Sequence, residues 1–233
     1  MLKTMNTTLS NDDTSLPIVR WAQKAGGSSS DYGYSIAVDN SGNIYTTGNF
    51  SGTATFGNTT LTSVGSADIF ITKQDSNGNY LWAQKAGGSG LDSSRSIRAD
   101  SSGNIYTTGN FSGTATFGNT TLTSAGSVDI FITKQDSNGN YLWAQKAGGS
   151  DSDYSSSIAV DNSGNIYTTG YFYETATFGN TTLTSAGNRD IFITKQDSNG
   201  DYLWAQKAGG SDSDYSSSIA VDNSGNIYTT GYF

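Results

Sequence analysis

Trp82-Ala83-Gln84-Lys85-Ala86-Gly87-Gly88 (WAQKAGG) decides the fold, because the same seven residues open at Trp21, Trp143 and Trp204, each 61 residues from the next. The unit starting at Trp82 differs from the one starting at Trp143 at 13 of 61 positions, which marks duplication of one module rather than chance periodicity. Each unit is therefore a structural building block, and the chain reads as repeats starting at 21, 82, 143 and 204.

Within a unit, Ser35 to Asp39 (SIAVD) and Asn43 to Phe50 (NIYTTGNF) are β-rich runs separated by Asn40-Ser41-Gly42, a turn composition that favours a hairpin. These predict strands A and B. Asp68 to Gln74 (DIFITKQ) and Asn79 to Ala86 (NYLWAQKA), joined across Asp75-Ser76-Asn77-Gly78, predict strands C and D. Thr53 to Ser63 (TATFGNTTLTS) lies between the pairs, and a small extra hairpin and an ordered loop both stay open for it. Ile69-Phe70-Ile71 and Ile36-Ala37-Val38 are apolar at consecutive positions, as expected when both faces of a sheet are covered. Radially stacked four-stranded sheets do this with a period of ~40–50 residues, longer when a blade is decorated. The expected fold is all-β: a β-propeller of four-stranded antiparallel blades, about four per chain.

The order AGG, a polar stretch, SIAVD, SGNIYTTG, then DIFITKQDSNGNYLWAQ resembles the bacterial β-propeller repeat family, the seven-bladed propeller type repeat, with a looser similarity to NHL-type blades. The resemblance covers residues 18–233, implies a propeller, often within large exported or surface proteins, and supplies no catalytic residues. The chain departs from the family in blade count. Strand order gives D first (18–27), three A-B-C-D sets, then A and B (218–233), so the two ends are expected to share one blade, which removes sheet edges that recruit other chains. Its strand C would come from residues 2–12 (LKTMNTTLSND), within a segment 1–17 that precedes the repeats. Two alternatives stand beside this: a homodimer completing one ring, and a piece of a longer array.

Composition narrows function. The 29 Gly, single Pro and 34% hydrophobic residues suit short strands and tight turns, while 14 Tyr, 10 Phe and 4 Trp in register argue for a packed chain rather than a disordered one. A net charge of −8 with no basic stripe makes nucleic acid an unexpected partner. Without His or Cys the commonest metal ligand, general base and thiolate are missing, so no cofactor and no metal are expected. The first twenty residues carry no signal-peptide core and no apolar run reaches membrane-span length; an extracellular or cell-surface location is implied only by the family resemblance.

Divergence between units is uneven. It gathers between D and A and between B and C, where Asn110, Ser112, Gly113 and Val128 become Tyr171, Tyr173, Glu174 and Arg189, and Ser93 becomes Tyr154. Both connections emerge on the same face of a propeller, and loops on rigid scaffolds usually carry binding. Tyr154, Tyr171, Tyr173, Glu174 and Arg189 are thus the candidate ligand-binding set, suited to carbohydrate or protein. Arg95 and Arg98 stand in strand A of the second unit, where strand A lines a channel; Arg98 is expected to reach it or to pair with Asp100, since an unpaired buried guanidinium is costly.

The turns Asp75-Ser76-Asn77-Gly78-Asn79 and the runs Asp151 to Asp153 and Asp212 to Asp214 do not fit the EF-hand loop, whose glycine falls later and which needs a closing glutamate. Asp39, Asp100, Asp161 and Asp222 recur as four equivalents, which suits turn capping better than a pair of unequal acids. Asn58, Asn119 and Asn180 in Asn-Thr-Thr read as β-propensity and turn chemistry. The expected function is a non-catalytic binding or scaffold module, with a spacer or self-assembling unit of a larger surface protein as the alternative. A hydrolase or lyase lacks its usual residues.

Overall fold

The computed structural model describes residues 21–233, and within them the chain is all strand, turn and loop. After β1 (Gly26–Gly27), the first unit supplies β2 (Asp31–Val38), β3 (Ile44–Phe50), β4 (Thr53–Phe56), β5 (Thr59–Thr62), β6 (Asp68–Gln74) and β7 (Tyr80–Gly88). The second supplies β8 (Ser93–Ala99), β9 (Ile105–Phe111), β10 (Thr114–Phe117), β11 (Thr120–Thr123), β12 (Asp129–Gln135) and β13 (Tyr141–Gly149). In the third, the hairpin fuses with its neighbours, giving β14 (Tyr154–Val160), β15 (Ile166–Phe178), β16 (Thr181–Gln196) and β17 (Tyr202–Ala208). A last pair, β18 (Tyr215–Val221) and β19 (Ile227–Tyr232), repeats A and B.

The four expected strands of a unit pair in order A-B-C-D and antiparallel, for example β2-β3-β6-β7, with Ile44 opposite Gln74 and Phe50 opposite Asp68. Three complete blades stand side by side, and successive A strands β2, β8, β14 and β18 pack on one another at the hub. Strand A carries the same bulge in every unit, between Gly33 and Ser35, Ser94 and Ser96, Ser155 and Ser157, and Ser216 and Ser218.

Thr53 to Ser63 is a hairpin, closed by Gly57 at φ 61° in the first of two loop positions, as a type II′ turn requires. It is more than a decoration. The hairpin of one unit bonds to strand D of the unit before it: Ala115 lies opposite Gly88, and Thr116 opposite Gly87. The backbones come so close that a Cβ at Gly88 would lie 1.7 Å from the Thr114 carbonyl oxygen. The hairpin also delivers Phe117, fully buried, whose ring centroid is 4.8 Å from that of Phe131 and 6.1 Å from Tyr141.

The core lies between blades. At each junction the strand A isoleucine of one unit joins the core that holds the strand B tyrosine of the unit before: Ile97 with Tyr45, Ile158 with Tyr106, Ile219 with Tyr167. All six are at most 2% exposed. Gln74, Gln135 and Gln196 in strand C donate through Nε2 to the side-chain Oε1 of Gln23, Gln84 and Gln145 at 3.4, 3.2 and 3.1 Å, so the chain at Gln23 sits against the first blade as strand D sits against the later ones.

At the ends, β1 pairs with β4 and β19 with β18, and no strand pairing joins the two ends among the described residues. The closing strand expected within residues 2–12 lies outside the described residues, as do 18–20 of the expected first D strand.

Candidate functional site

Tyr154 opens β14 and stands directly opposite Tyr171 on β15, so their rings stack, with centroids 5.1 Å apart and planes 27° from parallel. Tyr173, two residues on and therefore on the same face, meets Tyr171 edge-on at 6.1 Å. Arg189 lies across the ladder from Tyr173, and its Nη1 donates to the Tyr173 hydroxyl at 3.4 Å. Its guanidinium carbon is 4.8 Å from the Tyr171 ring centroid and 5.0 Å from that of Tyr215, within cation–π range of both. The structure thus brings Tyr154, Tyr171, Tyr173 and Arg189 together, all half-buried, with Glu174 exposed beside them.

Two further tyrosines belong to the cluster. Tyr215 meets Tyr171 edge-on at 6.2 Å and stacks on Tyr232 at 5.4 Å. They occupy the repeat positions of Tyr154 and Tyr171, a signal available in the sequence one unit further on. On the same rim Tyr32 and Tyr34 stack at 6.1 Å, with the Arg95 guanidinium carbon 4.5 Å from the Tyr34 ring centroid. Arg95 is the extra residue of the strand A bulge, which throws it to the surface. Burial pushes the Tyr171 hydroxyl up, reinforced by Tyr154 and opposed by Arg189.

The loops beneath are held by an aspartate at the start of strand A, buried in the three later repeats as Asp92, Asp153 and Asp214. Asp153 accepts from Gly149 N at 2.7 Å through Oδ2 and from Tyr173 N at 3.2 Å through Oδ1, and Asp92 does the same with Gly88 N and Ser112 N at 2.7 and 3.3 Å. Each faces a second buried aspartate across a glycine: a Cβ at Gly87 would lie 2.8 Å from Asp92 Oδ2 and 3.0 Å from Asp68 Oδ1. Burial, opposed by the two backbone donors and reinforced by Asp68, pushes Asp92 up to about 6. Asp153 is pushed up to about 7 for the same leading reason, with Asp129 and Asp151 adding to it. Lys85 and Lys207 reach Asp68 and Asp190 at 3.5 and 3.2 Å.

On the opposite rim the repeated Asp39 caps its turn through four bonds: Ser41 N and Asn43 N on Oδ1, Asn43 Nδ2 and the Tyr45 hydroxyl on Oδ2, at 2.8 to 3.0 Å. Asp100, Asp161 and Asp222 repeat the pattern. A cavity of about 450 Å³ opens between the A–B turns of three blades, lined among others by Asp39, Asp100, Asp161 and Lys134. Arg98 is not among its lining residues. Its Nη1 donates to the Ile97 carbonyl at 2.8 Å, and no ion pair joins it to Asp100 among the described residues.

A family model described as a beta-propeller repeat matches residues 20–49, 142–171 and 203–232. A WD repeat-containing protein of Acanthamoeba polyphaga mimivirus, itself uncharacterized, is 29% identical over 184 residues, covering 66% of this chain. The chain spans 13% of that relative's length. A solved structure of a protein of unknown function from Bacteroides caccae aligns with 76% of this chain and 81% of its own at 11% identity, with a TM-score of 0.28, too low to bear on the fold. The blade order, the repeated junctions and the matching stretches agree on the fold: an all-β chain of propeller-type blades, similar over those three stretches to the beta-propeller repeat.

Proposed function

We propose that this chain is a non-catalytic binding module whose tyrosine-lined loop face contacts carbohydrate or protein. The observation that carries the reading is the convergence of Tyr154, Tyr171, Tyr173 and Arg189, with Tyr215 and Tyr232 beside them, at positions where the second unit has mostly small residues. Half-buried tyrosine rings offer apolar surface for sugar or side-chain contact, and their hydroxyls offer polar handles for orientation. The absence of His and Cys from the sequence supports a non-catalytic role.

Screening the chain on glycan and protein arrays tests this. Tyr154→Ala and Tyr173→Ala are expected to weaken a captured ligand by on the order of tenfold or more while leaving the fold intact. Failure of the unmodified chain to capture anything sinks the reading. A purely structural role is favoured by one feature: Arg189 is already occupied by three tyrosines of its own chain. In that case both substitutions lower stability, and neither touches a ligand.

A further inference from the structure

Arg189 is a cation that its own chain surrounds without neutralising. It stands where the earlier units carry Ala67 and Val128. The rings of Tyr171 and Tyr215 lie 4.8 and 5.0 Å from its guanidinium carbon, yet ring faces attract a cation without cancelling its charge. Among the described residues its side chain makes one hydrogen bond, 3.4 Å long, to the Tyr173 hydroxyl, and Nε is buried with no acceptor. A half-buried charge in this state asks for a counter-ion. The chain has 20 acidic residues against 12 basic ones, and still places none on it. The ion pairs of the described residues are Lys85, Lys146 and Lys207 with Asp68, Asp129 and Asp190. A second guanidinium without an ion pair shares this rim: Arg95, packed at 4.5 Å on the Tyr34 ring. Burial raises the Tyr171 hydroxyl, and Arg95 is close enough to oppose that rise, as Arg189 does.

We propose that the loop face takes an acidic polysaccharide, with a sugar carboxylate on the Arg189 guanidinium and pyranose rings against Tyr154 and Tyr171. This rests on the loop face being a binding surface, and narrows what it binds. Carbohydrate is favoured over protein by the backbone. Tyr171 and Tyr173 are paired with Ile191 and Arg189, Arg189 bridges Ser213, and Tyr173 N donates to Asp153, so the site keeps no strand edge for a peptide to join. What it presents is ring surface, a planar cation and the exposed Glu174, which match the C–H face of a sugar, a carboxylate and sugar hydroxyls. Two cations on one rim suit a polymer that repeats its carboxylate.

The test is calorimetric titration of the chain, in calcium-free buffer at low salt, with a galacturonate tetramer, its methyl ester and a glutamate tetramer. The ester keeps the sugar rings and removes the charge. The acidic sugar is expected to bind about tenfold or more tightly than either of the others. Arg189→Gln is expected to bring it down to the level of the ester while leaving the ester unchanged; a merely structural Arg189 lowers both alike. Arg95→Gln, on an exposed side chain, keeps the fold and is expected to weaken the tetramer about threefold. Equal binding of acid and ester, or a preference for the glutamate tetramer, overturns the inference and leaves the loop face a binding surface. So does binding of none of the three by a chain that captures something else on the arrays. Capture of nothing at all overturns both.

Discussion

Glu174 has φ 45°, where the first two units have Gly52 and Gly113 at 66° and 69°. A side chain in this left-handed region costs about 1 kcal/mol, so Glu174→Gly is expected to stabilise the fold by about that amount in chemical denaturation. If the loop face binds as proposed, the same change lowers affinity, and stability and binding move in opposite directions. Gly88 gives the reverse case: with the Thr114 carbonyl 1.7 Å from where its Cβ would stand, Gly88→Ala is expected to cost about 2–4 kcal/mol, while Gly33→Ala, which meets nothing within 4 Å, stays within about 0.5 kcal/mol. Equal melting temperatures for the two would refute the close-approach account.

The buried aspartates set the pH response. Asp92 and Asp153 hold their protons to higher pH in the folded chain than in the unfolded one, so the folded state binds more protons between about pH 4 and about pH 6 to 7. From these two groups stability falls as pH rises through that window. The denaturation midpoint of Asp92→Asn or Asp153→Asn should show a flatter decline there than that of the unmodified chain. Capping aspartates act the other way. For Asp39 and Asp161 burial pushes upward and the bonds from Asn43 and Asn165, the turn backbone and Tyr45 and Tyr167 outweigh it; for Asp75 and Asp222 the bonds from Asn79 and Asn226 lead. Their contribution is present above the ordinary carboxylate range and is lost as pH falls below it. At this scale the sequence showed Tyr154, Tyr171, Tyr173 and Arg189 through divergence between units. It hid the placement of Arg95, since a bulge adds a residue without changing composition.

At the scale of the element, the inserted hairpin is a core component. Phe117 contacts Phe111, Phe131 and Tyr141, and Phe117→Ala is expected to cost about 3–5 kcal/mol, as much as a residue of the main blade. A loss below about 1 kcal/mol would mean that the hairpin is only ornament. Strands A to D were legible because each is six or more residues rich in β-formers and bounded by turn residues. The hairpin was less so. Its alternation is present, with Ala54 and Phe56 buried between exposed threonines, but each strand is four residues long. Its outer partner is a Gly-Gly pair, which composition reads as a breaker.

For the whole molecule, position along the array decides what an identical residue contributes. Ile158→Ala removes a fully buried side chain and is expected to cost about 2–5 kcal/mol, whereas Ile36→Ala at the open end should stay within about 0.5 kcal/mol for the isolated chain. Thermal denaturation at low concentration checks the pair, and equal costs would mean that the open end is covered in solution. The three junctions bury the same isoleucine–tyrosine pair, so stability follows as a sum of units and nearest-neighbour terms. Because each hairpin is bonded to strand D of the unit before it, the genetic period and the blade run out of phase. Sixty-one residues taken from any starting point hold one strand of each kind and one complete set of junction partners. Unequal crossing-over anywhere in the array can therefore change copy number without creating a surface the chain does not already know how to cover.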